Sequence, residues 1–424
     1  MEPPSGATPG CRRAVLANVV GTGIAGLAGI VLLLVIAALH GPEALGRFNL
    51  LFATYLVGSQ VATLGLHVSV VRFVAPLPPG PERTAAFHGA VLAVTASGGA
   101  AALVLLLVRS PLAASLGRSE LAGGLASVAL GILLFSINKV LLASLTAAGE
   151  MGTHARLTAA RGMLMFGLLA ALIAAGTTGE DLIIVLVLTE GVLGVLLVVT
   201  TLRAFSGPRP GTGILPWASR HLRFGVLGAG STLLTELNIR IDVLVLALYV
   251  DDRAIGVYTL VATLAEAALQ LPLVLRTVLG PEVVRLIERG DAAGLREQVR
   301  TTRARLWAVM APVAAGMVLL HPTLVQLLGA DEAFRDGRLA LAVLLVGVVV
   351  ASGYVPFSLA LAQGGRPLAQ TAFVGMLALI NLAGNLLLVS RLGIVGAASA
   401  TAAANIALIP LLRRSVDRRL GLRL

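Results

Sequence analysis

This sequence predicts an all-α, multi-pass membrane protein, and three features of it do so. Hydrophobic residues make up 57 % of the 424 residues and charged ones only 12 %, against about a quarter charged in soluble domains. The mean hydropathy is +0.93. The apolar residues are gathered into runs of about 20, the length that crosses a bilayer as a helix, separated by short arginine-bearing loops.

Taken in order, the runs place spans at 14–39, 48–71, 84–108, 121–147, 157–176, 182–202, 223–249, 255–279, 304–328, 338–362, 368–390 and 393–412. Twelve crossings put both ends on one side of the membrane. Arg12, Arg13, Arg83, Arg156, Arg203, Arg209, Arg220, Arg223, Arg366 and the arginines of 285–305 and 413–423 fall together on that side. The opposite loops hold Arg47, Arg109, Arg118, Arg253, Arg335, Arg338 and Arg391, mostly beside acidic residues. By the positive-inside rule both termini are expected to be cytoplasmic. The start is read as the first span rather than a cleavable leader, because the run from Ala14 to Leu39 is longer than a signal core. The net charge of +11 therefore reports topology, and nucleic acid is not an expected partner.

The linker from Ala204 to Arg220 carries Ser206-Gly207-Pro208 and Pro210-Gly211, turn chemistry that divides the chain into halves of six spans, 1–211 and 212–424. A second segment, Pro281 to Arg303, reads as two short amphipathic pieces broken at Gly290-Asp291, expected along the inner membrane surface. Glu43-Ala44-Leu45-Gly46-Arg47-Phe48 opens span two, and Arg253-Ala254-Ile255-Gly256-Val257-Tyr258 opens span eight. Equal placement of this echo suggests two parallel six-helix repeats with a substrate path between bundles.

Span seven carries the densest polarity: Glu236, Asn238, Arg240 and Asp242 lie in its middle. A charge at the centre of a spanning helix costs about 2.5–3.5 kcal/mol on insertion scales, so these groups need partners or a wet cavity. Glu236 and Arg240, one turn apart, can neutralise each other as a structural pair. Lys139, Glu190 and Glu266 are the other deep ionisable residues. Lys139, the only lysine in the chain, can serve as a strut paired with Asp242 or Glu266, or can attract an anionic group together with Arg240. Lys139, Arg240 and Asn238 are the candidate substrate-binding residues. Glu190, Glu236, Asp242 and Glu266 are the candidates for holding a coupling proton or sodium ion.

Catalytic signatures do not emerge. Cys11 is the single cysteine, and no Cys/His cluster has metal-ligand spacing, so neither a metal nor a cofactor is expected. Gly21-x-Gly23-x-x-Gly26 lies inside an apolar helix with no preceding strand and is not a dinucleotide loop. The external loops are short and carry no acid/base pair, which argues against a membrane-embedded polymerase or ligase.

Four stretches resemble the polysaccharide flippases of the Wzx type, within the superfamily that also holds the MATE drug exporters and lipid II flippases. They are Gly41 to Phe48 with the span ending Val71-Arg72-Phe73-Val74-Ala75; Arg240-Ile241-Asp242 leading to Ala254-Ile255-Gly256-Val257-Tyr258; Ala265-Glu266 through Leu271-Pro272 to Gly280-Pro281; and Ile380-Asn381-Leu382 to Gly393 through Thr401. The resemblance implies a V-shaped, MATE-like pair of six-helix bundles in the bacterial cytoplasmic membrane. Its implied substrate is a polyprenyl-pyrophosphate-linked oligosaccharide, with membrane lipids, a coupling ion and a polysaccharide polymerase or other export machinery as partners. Arg240 and Lys139 would then meet the pyrophosphate. A MATE-like exporter of small organic cations is the alternative on the same architecture, disfavoured by the 4 % aromatic content, since planar cations are gripped by aromatic faces.

Overall fold

The computed structural model describes residues 9–177, 179–206 and 213–422. Among them the secondary structure is helical: α1 (Pro9–Thr63), α2 (Leu66–Val74), α3 (Pro81–Ser115), α4 (Leu121–Ala147), α5 (Met151–Ala174), α6 (Ile184–Ala204), α7 (Ile214–Leu246), α8 (Asp252–Glu288), α9 (Ala292–Leu327), α10 (Arg338–Ser352), α11 (Ala360–Gln363) and α12 (Pro367–Leu420). Helix is the form in which an apolar segment satisfies its own backbone donors and acceptors in lipid. Eight of the described helices are long and apolar enough to cross a membrane, nine when a pair bent by 55° around 353–354 is taken as one broken span. Two of these are double-length. α1 breaks at Gly41 (φ 77°), followed by Pro42, and α12 breaks at Gly393 (φ 53°), both at a positive φ that a side chain would disfavour. With the 33-residue α7, these helices accommodate about twelve crossings. The turn residues 207–211 of the sequence-predicted linker lie outside the described residues.

The chain packs as two compact units, one holding the chain up to Leu33 and Leu51–Leu233, the other Leu34–Leu50 and Leu234–Leu424. The division by packing thus falls inside α7 and assigns a short piece of α1 to the second unit, whereas the sequence division follows the linker. In the first unit α4 is central and touches α2, α3, α5 and α6. Its core includes Leu66, Val70, Ala90, Val94, Val140, Leu141, Leu193 and Leu197. In the second, α10 is central between α8, α9 and α12.

Residues 281–303 differ from their expected role as a surface-lying amphipathic pair. They continue α8 and α9 as one antiparallel hairpin turned at Gly290 (φ +65°). The reason is packing: Val283, Leu295 and Val299 are buried in one core with Tyr354, Phe357, Leu412 and Val416, so the apolar stripe is already covered by protein. Helix α8 has 37 residues, about 55 Å at 1.5 Å each, longer than the hydrocarbon layer.

The two echoing motifs meet each other within the second unit. A Cβ placed on Gly46 would overlap the backbone carbonyl of Asp252, and one placed on Gly256 would overlap that of Pro42. Each glycine lies four residues after the carbonyl that its counterpart touches, so the contact is reciprocal, as expected of two copies of one motif around a local two-fold. Arg47 Nε donates to Asp252 Oδ2 at 3.0 Å, and Asn49 Nδ2 to Thr259 Oγ1 at 2.8 Å. These polar contacts pin the approach that the glycines permit. Gly256→Ala is expected to destabilise the purified protein by about 1–3 kcal/mol through overpacking, read as a lowered Tm in detergent. Gly316→Ala, where nothing lies within 4 Å of the added Cβ, should leave Tm unchanged or slightly raised.

Candidate functional site

The sequence-predicted residues divide between two buried polar clusters, one in each unit. In the first unit the cluster is built on α4, which presents Phe135, Asn138 and Lys139 along about one turn. Glu190 of α6 is the anchor, only 2 % exposed. Its carboxylate accepts from Arg161 Nη2 at 2.5 Å and Asn138 Nδ2 at 2.9 Å, with Tyr55 Oη at 3.4 Å. Asn138 Nδ2 also donates to the Glu190 backbone carbonyl at 2.8 Å, locking the two helices together.

Lys139 Nζ donates to Gln60 Oε1 at 2.8 Å. Its ammonium lies 5.8 Å from the Phe135 ring centre, and the Arg161 guanidinium 4.7 Å from the same ring. One aromatic face thus organises two cations, with Tyr55 edge-on to Phe135 at 5.5 Å. Glu190 is the carboxylate that pairs with Arg161. The Arg161 side chain is 31 % exposed and that of Glu190 2 %.

The second unit holds the rest. Asp242 of α7 is buried; its Oδ1 accepts from the Val243 N–H at 2.8 Å and its Oδ2 from the Tyr258 hydroxyl. Asn381 Nδ2 donates to the Asn238 carbonyl at 3.0 Å and lies 3.4 Å from Asn238 Oδ1. One turn further along α12, Asn385 Nδ2 donates to Asn381 O at 2.9 Å and Oδ1 at 3.0 Å. Thr401, past the Gly393 break, reaches Asn381 Oδ1 at 3.4 Å. The buried Asn385 Oδ1 has no hydrogen-bond partner in the structure, an unmet acceptor beside a string of oxygens.

Arg240 lies between two carboxylates, 3.6 Å from Glu236 Oε1 and 3.7 Å from Glu266 Oε1. The one-turn pair that the sequence spacing allows is therefore present, with Glu266 added from α8. Glu236, Glu266 and Asp242 outnumber this single guanidinium.

Sequence reasoning missed Arg161, Tyr55, Tyr258 and the two asparagines. Arg161 lies near the start of its span and reads as an interface residue, so nothing in the sequence marks it as the partner of Glu190. Asn381 and Asn385 did carry a signal: two amides one turn apart in an apolar helix share a face and need partners there. Among the described residues no group of three or more His, Cys, Asp or Glu could hold a metal ion.

Two bundled units of long apolar helices, each with charged groups at its heart, define a polytopic membrane transporter. The chain belongs to the polysaccharide biosynthesis protein family, whose model matches residues 35–332. No curated protein matches it in sequence. Among solved structures it is similar to the lipid II flippase MurJ in an inward closed conformation, with TM-score 0.77 and 13 % identity over 95 % of this chain and 87 % of that one. It is also similar to a multidrug resistance MATE family transporter of the MOP superfamily in its inward-facing conformation, with TM-score 0.72 and 15 % identity over 95 % of this chain and 97 % of that one. These likenesses show the fold.

Arg161→Ala leaves Glu190 buried without its cation and is expected to destabilise the first unit by about 3 kcal/mol, seen as a lower Tm and lower membrane yield. The pair Arg161→Met with Glu190→Gln should recover most of that loss. Equal destabilisation in single and double variants would show that the two side chains do not act as a pair.

Proposed function

We propose that this protein flips a polyprenyl-pyrophosphate-linked oligosaccharide across the bacterial cytoplasmic membrane by alternating access, supplying surface polysaccharide biosynthesis. The single observation that carries the reading beyond family membership is the cationic locus of the first unit, where Lys139 and Arg161 share the Phe135 ring. A diphosphate is recognised by fixed cations with in-plane donors, and the guanidinium fork of Arg161 beside the Lys139 ammonium supplies both kinds of contact. A cavity built for organic cations would set carboxylates, rather than two cations, against that aromatic ring. The multidrug transporter similarity is one of fold.

In this reading Lys139 meets the diphosphate and Glu190 positions Arg161 for the same contact. Both oxygens of Glu190 are committed to Arg161, Asn138 and Tyr55, so Asp242 is the better candidate for the coupling ion. It is buried, it accepts from a hydroxyl and a backbone amide, and it lies one turn along α7 from Asn238, which Asn381 bonds. A proton on Asp242, or a sodium ion shared between Asp242 and the amide oxygens, would neutralise it. Arg240, loosely held by Glu236 and Glu266, answers to the charge of that site. The arginine bias supports cytoplasmic termini in this reading.

Lys139→Gln is expected to lose surface polysaccharide by at least ten-fold in a strain lacking the native gene, at unchanged membrane level of the protein, with lipid-linked precursor accumulating on the inner leaflet. Asp242→Asn should slow flipping in proteoliposomes and remove its dependence on an imposed proton or sodium gradient. Full export by Lys139→Gln would sink the cationic-site assignment. Intact polysaccharide in the gene deletion, together with raised sensitivity to cationic drugs, would replace the flippase by an exporter.

A further inference from the structure

At one membrane-facing end of the first unit, α2 runs into the loop 75–80 and α7 begins. There Phe73, Trp217 and Phe224 gather around two arginines. The Arg220 guanidinium lies 4.7 Å from the Phe73 ring centre and 4.9 Å from that of Trp217; the Arg72 guanidinium lies 5.9 Å from Phe73 and 5.4 Å from Phe224. One phenyl ring therefore carries two cations. Both arginines are exposed, and neither has a carboxylate within ion-pair distance among the described residues.

The cluster is built rather than incidental. Buried His221 sits between Phe73 and Trp217, with Nδ1 2.8 Å from Ser69 Oγ and Nε2 3.1 Å from the Ala86 carbonyl, so α7 is bonded to α2 and α3 where the rings converge. A Cβ on Gly89 would crowd the Cβ of Trp217 and the Ala218 backbone nitrogen, and this close approach sets the position of Trp217. A guanidinium stacked on a ring keeps its in-plane N–H donors free, which is the geometry that reads phosphate oxygens.

We propose that Arg72 and Arg220, stacked on Phe73, form a binding site for the phosphodiester headgroup of an anionic phospholipid. Two observations favour a lipid over a soluble phosphate. Phe73 stands at the end of α2 and Trp217 in the first turn of α7, where rings settle at the headgroup level. On the same two helices, Val68 (48 % exposed), Val71 (39 %) and Val226 (60 %) offer apolar surface for the acyl chains. The site is independent of the transported substrate, and its test does not use transport.

The test is retention of phosphatidylglycerol against phosphatidylcholine by the purified full-length protein from mixed micelles, read by native mass spectrometry. Wild type should favour phosphatidylglycerol. Arg72→Gln with Arg220→Gln should lower that preference about thirty-fold, from about a five-fold contribution of each surface arginine. Arg289→Gln with Arg296→Gln removes equal charge from the α8–α9 hairpin and should leave the preference unchanged. Arg72→Lys with Arg220→Lys should fall several-fold short of wild type, because an ammonium keeps the charge but not the planar fork. Equal retention by wild type and the glutamine pair overturns the proposal, as does full retention by the lysine pair, which would mean diffuse charge attraction. Displacement of the lipid by an excess of inorganic phosphate overturns it as well, in favour of a soluble-anion site.

Discussion

A carboxylate deep in an apolar bundle must be answered from within the protein, and most of the polar architecture here follows from that constraint. Glu190 is answered completely: a guanidinium, an amide and a phenol close around it from three other segments, so the residue that is costliest to bury also ties α1, α4, α5 and α6 together. Asp242 is answered differently, by a tyrosine hydroxyl and a backbone N–H. The two units have thus solved one problem in two ways, the first by a committed ion pair and the second by hydrogen bonds from a hydroxyl and a backbone amide.

The long-range frame was legible in the sequence because hydrophobic length and arginine bias are properties of single segments. Every expected span has a helix, and the two glycine breaks fall at the expected junctions between spans one and two and between eleven and twelve. The Glu236–Arg240 pair was legible for the same reason, since one helical turn fixes it. What escaped were pairings between segments far apart in the chain. Arg161 and Glu190 are each ordinary in their own span, and only the packing of α5 on α6 makes them a pair. At 281–303 the break falls at Gly290-Asp291 as the sequence indicates; an amphipathic stripe states only that something covers it, and the residues that do, Tyr354, Phe357 and Leu412, lie far downstream.

The echo of Glu43–Phe48 in Arg253–Tyr258 turns out to be a statement about backbone distance. Two helix starts can approach until carbonyl meets Cα only if both lack a side chain at the contact, and a symmetric contact demands this at the same position in each copy. Gly46 and Gly256 satisfy that demand reciprocally. The flanking residues differ, Arg47 against Val257 and Asn49 against Thr259, so symmetric sterics are combined with asymmetric polar contacts. Arg47 to Asp252 and Asn49 to Thr259 then fix which copy donates and which accepts.

Charge accounting separates the roles of the two clusters. In the first, Lys139 and Arg161 share the Phe135 ring and Arg161 pairs with a carboxylate that is itself buried. In the second, three carboxylates share Arg240, and its contacts at 3.6 and 3.7 Å are longer than the 2.5 Å pair of Arg161 with Glu190. A guanidinium held at such distances by two acids is easily biased toward one or away from both when a third charge nearby appears or disappears. Asp242 is two residues along the same helix and buried beside Tyr258. Its neutralisation by a cation would change the field at Arg240, and the Glu236 to Glu266 bridge spans α7 and α8, the helices joined at the loop 247–251. Under the proposed coupling role, a change of charge at Asp242 would act on the angle between two helices rather than on one side chain, the scale of movement that a transport cycle requires.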